Sequence, residues 1–210
     1  MKSRLLSVGY MFLLTFCFTA MVSAVKEVNE DRIQRNQALK LERIILRVLG
    51  FQTDQVPDKE LSRLFETRVR RQEVAGRTLY QGLEEDGRTI KGIAFPVSGP
   101  GFWGPIEGMV GLDKEGRRVI GLAFYGHSET PGLGGRLTED WFQNQFAGLK
   151  IPAGQGAGPA FSLAPPGKTK EPGQLDAITG ATMTSKAVEA FLNQELALFR
   201  DKLAPSLGEG

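Results

Sequence analysis

The chain begins with a stretch that permits few structures: from Leu5 to Val25 there is no charged residue, and Lys2 and Arg4 stand just before it. A helix rises about 1.5 Å per residue, so about 20 apolar residues cross a ~30 Å hydrocarbon core with every backbone hydrogen bond kept inside the segment. The run is long enough for a membrane helix. A cleaved signal peptide is the competing reading, because Val22-Ser23-Ala24 offers small residues of the kind such cleavage needs. The apolar run exceeds the roughly 7 to 15 residues usual there, which favours a retained anchor over residues 1–25. Phe16, before Cys17, stands where a lipid-modified cysteine needs a small neighbour. Under either reading the basic end stays in the cytoplasm, and everything after residue 25 is expected across the membrane.

The remainder of the chain is long enough for one globular domain with its own core. Lys and Arg number 26 against 24 Asp and Glu, and they are interspersed, so there is no basic stripe and nucleic-acid binding is not expected. Cys17, the single cysteine, lies inside the apolar run, which rules out a disulfide framework or a cysteine metal site within the chain. His127 is the single histidine, so no multi-histidine metal site is expected. No catalytic acid or base stands out. Any redox chemistry has to come from a bound cofactor.

Residues 29 to 49 read as a helix leaving the membrane, with Asn29 as cap, apolar positions at 38, 41, 45, 48 and 49, and Gly50 as stop. This gives a membrane-proximal segment, 26–50, and a domain, 51–210. A second helix is expected over 58–72, capped by Asp58, with Leu61, Leu64, Phe65 and Val69 on one face. The period then changes. "LEEDGRTIKGIAF" (83–95) and "LDKEGRRVIGLAF" (112–124) align without gaps, and each reads as a β-hairpin whose polar turn contains glycine. Two copies are too few for a solenoid and point to neighbouring layers of an antiparallel sheet. A short helix with Thr138 as cap, a Gly/Pro-rich loop over 152–174, and a terminal helix with Val188, Phe191, Leu192, Leu198 and Phe199 on its apolar face complete the chain. The fold class is α+β.

"DAITGATMTS" (176–185) stands at the start of that last helix. Helix starts present unpaired N–H groups and a partial positive charge, hydroxyl side chains add donors, and Gly180 lets the backbone come close or take positive φ. Taken alone, this describes both an ordinary cap at Thr184 or Ser185 and a phosphate site. "HSETPGLGG" (127–135) predicts a tight loop with little side-chain bulk, against which a flat ring can lie, or simply a turn after a strand. Phe102 and Trp103, between glycines, fit a ring-stacking role or a core-anchoring one equally well, and His127 is assigned no role.

Asp176-Ala177-Ile178-Thr179-Gly180-Ala181-Thr182 resembles the D-x-x-[ST]-G-A-T flavinylation motif of the FMN-binding domain family. That family includes the C subunit of the sodium-translocating NADH:quinone reductase and the G subunit of the related Rnf complex. The resemblance extends over "RNQALKLERIILRVLG", "FPVSGPGFWGPI", "HSETPGLGG" and the Asp140-Trp141 segment, in the family's order. It implies covalent FMN, transferred from FAD by a dedicated flavin transferase and joined through its phosphate to Thr182, with Thr184 as the rival acceptor in the same stretch. Asp176, Thr179, Gly180 and Ala181 become the recognition frame. Glu129, Thr130, Gly132, Leu133 and Gly134 become flavin-pocket residues, and Thr184 a helix cap or a phosphate ligand. It further implies an electron-relay subunit of a membrane redox complex, single-pass in the bacterial inner membrane, with other subunits and lipid as partners. A regulatory or assembly module carrying FMN is the alternative.

Overall fold

The structure is a computed structural model describing residues 2–154, 156–167 and 171–207. It divides into two compact units, Met1–Leu41 and Glu42–Gly210. The first unit is helical throughout its described residues, within α1 (Lys2–Val48), and its side chains from Leu6 to Val28 are exposed. It is long and apolar enough to cross a membrane. Asn29 does not cap a new helix: its Nδ2 donates to the carbonyl of Val25 at 2.8 Å, within a continuous helix. Nothing between Ser23 and Val28 breaks helical backbone, so there is no terminus for it to cap.

In the second unit, α1 ends where Gly50 was expected to stop it. Phe51 N–H bonds to Leu46 O at 3.0 Å and Gly50 N–H to Arg47 O at 3.0 Å, with Gly50 at φ +77°, which is a Schellman ending. Helix α2 (Asp58–Arg68) is shorter than expected at its C-terminal end. Asp58 is its first residue rather than its cap, and its carboxylate pairs with Arg43 at 3.2 Å. Val69 to Gln72 leave the helix for strand β1 (Val69–Val74), because pairing with β2 (Arg77–Leu83) outweighs a weak helical preference.

Strands β1, β2, β3 (Ile90–Pro100), β4 (Pro105–Asp113) and β5 (Val119–Gly126) form one antiparallel sheet in sequence order. The two repeat copies are the β2–β3 and β4–β5 hairpins, adjacent within this one sheet rather than in separate layers. Their turns share the same backbone hydrogen bonds. Glu84 N–H bonds to Thr89 O at 2.8 Å and Asp113 N–H to Arg118 O at 2.9 Å, and the glycines at equivalent places, Gly87 and Gly116, take φ +64° and +66°. That left-handed backbone explains why each copy carries glycine there.

Both faces of the sheet are covered. A Cβ on Gly111 would lie 2.0 Å from Val48 O, so the end of α1 sits directly on β4. Val110 and Leu112 point to the other face and join Phe95, Phe191, Leu192 and Phe199 in the main core. There α4 (Thr182–Leu198) comes so close that a Cβ on Gly99 would lie 2.3 Å from Phe191 Cβ. Phe95 stacks on Phe199 with ring centroids 4.9 Å apart, in the π-helical turn (Phe199–Leu203) that leads from α4 into α5 (Ala204–Leu207). Leu196, rather than Leu198, is the fully buried leucine in the last turn of α4.

Along the chain, α3 (Asp140–Asn144) and the Gly/Pro-rich segment come between β5 and α4. Thr138 does not cap α3; Glu139 precedes the helix, and the Thr138 hydroxyl donates to Gly135 O at 3.0 Å. The Gly/Pro-rich segment contains some regular structure: β6 (Ser162–Ala164) pairs in parallel with β7 (Gln174–Asp176). Residues 155 and 168–170 of it lie outside the described residues. Asn193 of α4 accepts Ala160 N–H at 2.7 Å and donates to Phe161 O at 2.9 Å, so a helix side chain orders this strand-poor segment.

Candidate functional site

The approach to α4 is shaped by one buried hydroxyl. Ser185 Oγ accepts Ile178 N–H at 3.0 Å and donates to Ala181 O at 3.0 Å, closing the turn that Gly180 enters at φ +78°. The helix starts at Thr182, with Ala181 as the preceding residue. Thr184 is therefore no cap. It is the third helical residue, 3% exposed, and its hydroxyl donates to Glu129 Oε2 at 2.6 Å. Of the four hydroxyl residues in "DAITGATMTS", Thr184 and Ser185 are buried and engaged, while Thr179 and Thr182 are exposed. Among the described residues, the Thr182 hydroxyl has no hydrogen-bond partner.

Thr182 and Gly180 stand on the ridge between two grooves. The first, of about 410 Å³, runs beneath Phe102, Trp103 and Met183 and has Glu129, Leu133 and Gly134 in its wall. The second, of about 380 Å³, lies towards Leu163, Pro165, Pro166 and Lys186. The first groove has the more aromatic wall. Phe102 and Trp103 are 52% and 64% exposed and meet edge to face at 5.0 Å, a cluster of apolar surface that a single domain rarely leaves uncovered without use.

The "HSETPGLGG" loop (127–135) follows β5 and brings Glu129, Thr130, Leu133 and Gly134 to the first groove. Gly132, at φ +74°, shapes the turn but does not line the groove. Gly180, Ala181, Thr182 and Thr184 come to the same groove from α4, whereas Thr179 faces the second. Asp176 lines neither. It is half-buried in β7, where its N–H donates to Gln145 Oε1 at 2.7 Å and its carbonyl accepts from Gln145 Nε2 at 3.2 Å. His127 Nδ1 accepts Glu129 N–H at 3.1 Å, a contact that shapes the loop.

Phe102, Trp103 and Met183 are the residues of the groove that sequence reasoning left out. The signal in the sequence was two large aromatics flanked by glycines, which distinguishes them from core aromatics only once their exposure is seen. A further cleft of about 340 Å³ between Arg77, Glu107 and Tyr125 offers less: Arg77, the one cation among its described lining residues, is already paired with Glu195 of α4. Among the described residues no group of three or more His, Cys, Asp or Glu is placed to hold a metal.

The chain resembles known proteins in sequence and in fold. The C subunit of the Na(+)-translocating NADH-quinone reductase from Chlamydia pneumoniae is 35% identical over 136 residues, covering 58% of this chain and 42% of the relative. The subunit of the same name from Neisseria meningitidis is 38% identical over 105 residues, covering 50% of this chain and 40% of the relative. The matched region thus spans about two fifths of these curated relatives. Two solved structures share the fold. Shewanella oneidensis NqrC has a TM-score of 0.68 at 17% identity, over 81% of this chain and 97% of that one. The corresponding quinone reductase subunit from Parabacteroides distasonis has a TM-score of 0.66 at 23% identity, over 81% and 94%. Both glycine-rich loops, the aromatic groove and the start of α4 fall within a single family match: residues 101–197 match the model of the FMN-binding domain family.

Proposed function

We infer that the protein carries FMN covalently, joined through its phosphate to Thr182, and relays electrons as a subunit of a membrane-bound Na(+)-translocating NADH:quinone reductase-type complex. The observation that carries this is the contrast between two threonines of one motif. Thr182 is exposed, without a hydrogen-bond partner among the described residues, and on the rim of an aromatic-walled groove, while its rival Thr184 is buried and committed to Glu129.

The residues present fit the group. A groove of about 410 Å³ lies within the usual range for small-molecule sites, roughly 300–1,000 Å³, and its apolar wall suits a flat ring. The first N–H groups of the 17-residue helix α4 have no carbonyl within the helix to bond, so its N-terminus favours a phosphodiester's remaining negative charge. Bound there, FMN would supply reversible electron acceptance and release, which no side chain of this chain offers.

For attachment, the Thr182 hydroxyl forms a bond to the FMN phosphorus of FAD as the pyrophosphate bond breaks. AMP leaves, and the hydroxyl proton passes to a base. A threonine hydroxyl needs such activation, and a flavin transferase would provide it. Thr182 must therefore be reachable by another protein, as its exposure allows. Asp176, Thr179, Gly180 and Ala181 are the frame that the transferase reads, and Asp176 holds its place in β7 through Gln145. Once the cofactor is bound, Glu129, Thr130, Leu133, Gly134, Phe102 and Trp103 surround it and limit water. Gly132 sets the turn that presents them.

The apolar part of α1 serves as a single-pass anchor in the bacterial inner membrane, with the domain on the extracytoplasmic side and lipid around the helix. The resemblance to quinone reductase subunits favours that system over Rnf. The test is the redox state of the flavin in the purified membrane complex. A relay predicts that it is reduced when NADH is added and reoxidised by quinone. A flavin that stays oxidised throughout turnover would instead indicate a regulatory or assembly module.

A further inference from the structure

Nothing in the attachment chemistry uses the carboxylate of Glu129, yet the residue is 4% exposed and both oxygens are engaged. Oε1 accepts the consecutive backbone N–H groups of Phe102 at 2.8 Å and Trp103 at 3.0 Å, and Oε2 accepts the hydroxyl of Thr184 at 2.6 Å. The donors lie 27, 26 and 55 residues away along the chain. Glycines surround the carboxylate because nothing larger fits. A Cβ on Gly101 would lie 2.6 Å from Oε1, and one on Gly134 would lie 2.6 Å from Oε2.

The two N–H groups lie beyond the last paired residues of β3 and β4, Pro100 and Pro105, so the sheet offers them no carbonyl. The rings of Phe102 and Trp103 are more than half exposed, which leaves them little packing of their own. Gly101 N–H closes the base of this loop on Gly104 O at 2.8 Å, and the carboxylate takes the two amides at its tip. The other carboxylate oxygen holds α4 two residues after Thr182, so one side chain joins the two walls of one groove.

We propose that Glu129 is a positioning residue, whose carboxylate holds the Phe102–Trp103 loop against the first turn of α4 and so sets the aromatic wall beside Thr182. Its consequence for a flavin rests on the proposed cofactor function; its geometry does not. Replacement by glutamine preserves the arrangement, because one amide oxygen can take both backbone N–H groups while the amide nitrogen donates to the Thr184 hydroxyl. Replacement by alanine releases all three donors.

The test begins on the full chain in detergent, without flavin, by amide hydrogen exchange. In Glu129→Ala the amides of Phe102 and Trp103 exchange at least about tenfold faster relative to the ladder amides of β4, and Glu129→Gln restores them. Unchanged relative exchange in the alanine variant would overturn the proposal. Should that variant not fold, Thr184→Val removes the Oε2 bond alone. It should speed the same two amides less, and no change would again overturn the proposal.

The second arm uses chain carrying flavin and reads flavin emission, which a contacting aromatic side chain quenches. Emission rises several-fold in Glu129→Ala and in Trp103→Ala but not in Glu129→Gln, and the Glu129→Ala Trp103→Ala double variant is no brighter than Trp103→Ala. Additive brightening would show that Glu129 does not act through the aromatic wall and would overturn the proposal. If wild-type chain acquires no flavin, the inferred cofactor site fails, while the exchange measurement still decides the role of Glu129.

Discussion

In the first copy of the hairpin repeat, β3 runs past Phe95 into the loop of Gly101, Phe102 and Trp103. In the second, β5 runs past Phe124 into the loop that carries Glu129. Up to those phenylalanines the copies share a register, a turn and a left-handed glycine, and neighbouring backbone satisfies the polar groups. Beyond them no ladder is available to the Phe102 and Trp103 amides, and one buried carboxylate takes its place. The repeat builds a frame in which many local bonds share the load, and the site sits where the repeat ends and few bonds decide the geometry. Substitutions in the two regions should therefore fail differently.

The largest effect belongs to the frame. Phe95→Ala removes a ring that is 1% exposed and stacked on Phe199, and should cost about 4 kcal/mol of global stability in urea unfolding. A loss of under 1 kcal/mol, on the order of an exposed site, would break the distinction between frame and site. Glu129→Ala comes next, at about 2 kcal/mol, because it leaves buried donors without partners. Its signature is faster exchange confined to the loops. Trp103→Ala, at 64% exposure, should change stability by no more than about 0.5 kcal/mol while altering flavin emission, which would separate site from frame most clearly.

The smallest effect is a titration within the frame. In the first hairpin turn, Asp86 accepts the Thr89 hydroxyl and the N–H groups of Arg88 and Thr89, which lower its pKa to about 2. A depressed folded pKa means that the contribution is present above the unfolded value and is lost as pH falls through about 2. The Arg88 and Thr89 amide shifts should follow that midpoint. A midpoint near 4, where a free aspartate titrates, would show that the turn bonds do not hold in solution.

The same division explains what the sequence made legible. The hairpins, the Gly50 stop and the helix start after Gly180 could be read because each depends on residues within a few positions of one another. The expected caps at Asn29, Asp58, Thr138 and Thr184 could not be read correctly. A cap exists only where a helix ends, and at each of these positions the helix either continues or begins elsewhere. Thr184 shows the physical reason most clearly: its hydroxyl partner is 55 residues away, and no local pattern carries that contact. Strand β1 was hidden likewise, since Val69 to Gln72 take their conformation from pairing with β2. Phe102 and Trp103 were visible as aromatics among glycines, but their exposure, which makes them candidates for a ligand, is a property of the folded loop.

The central claim is that one hydroxyl, Thr182, is the attachment point. Intact-protein mass after co-production with a flavin transferase tests it most directly. The wild type should gain the mass of one FMN less one water, Thr184→Val should gain the same, and Thr182→Val should gain nothing. A Thr182→Val chain that still gained the mass of one FMN less one water would contradict the account.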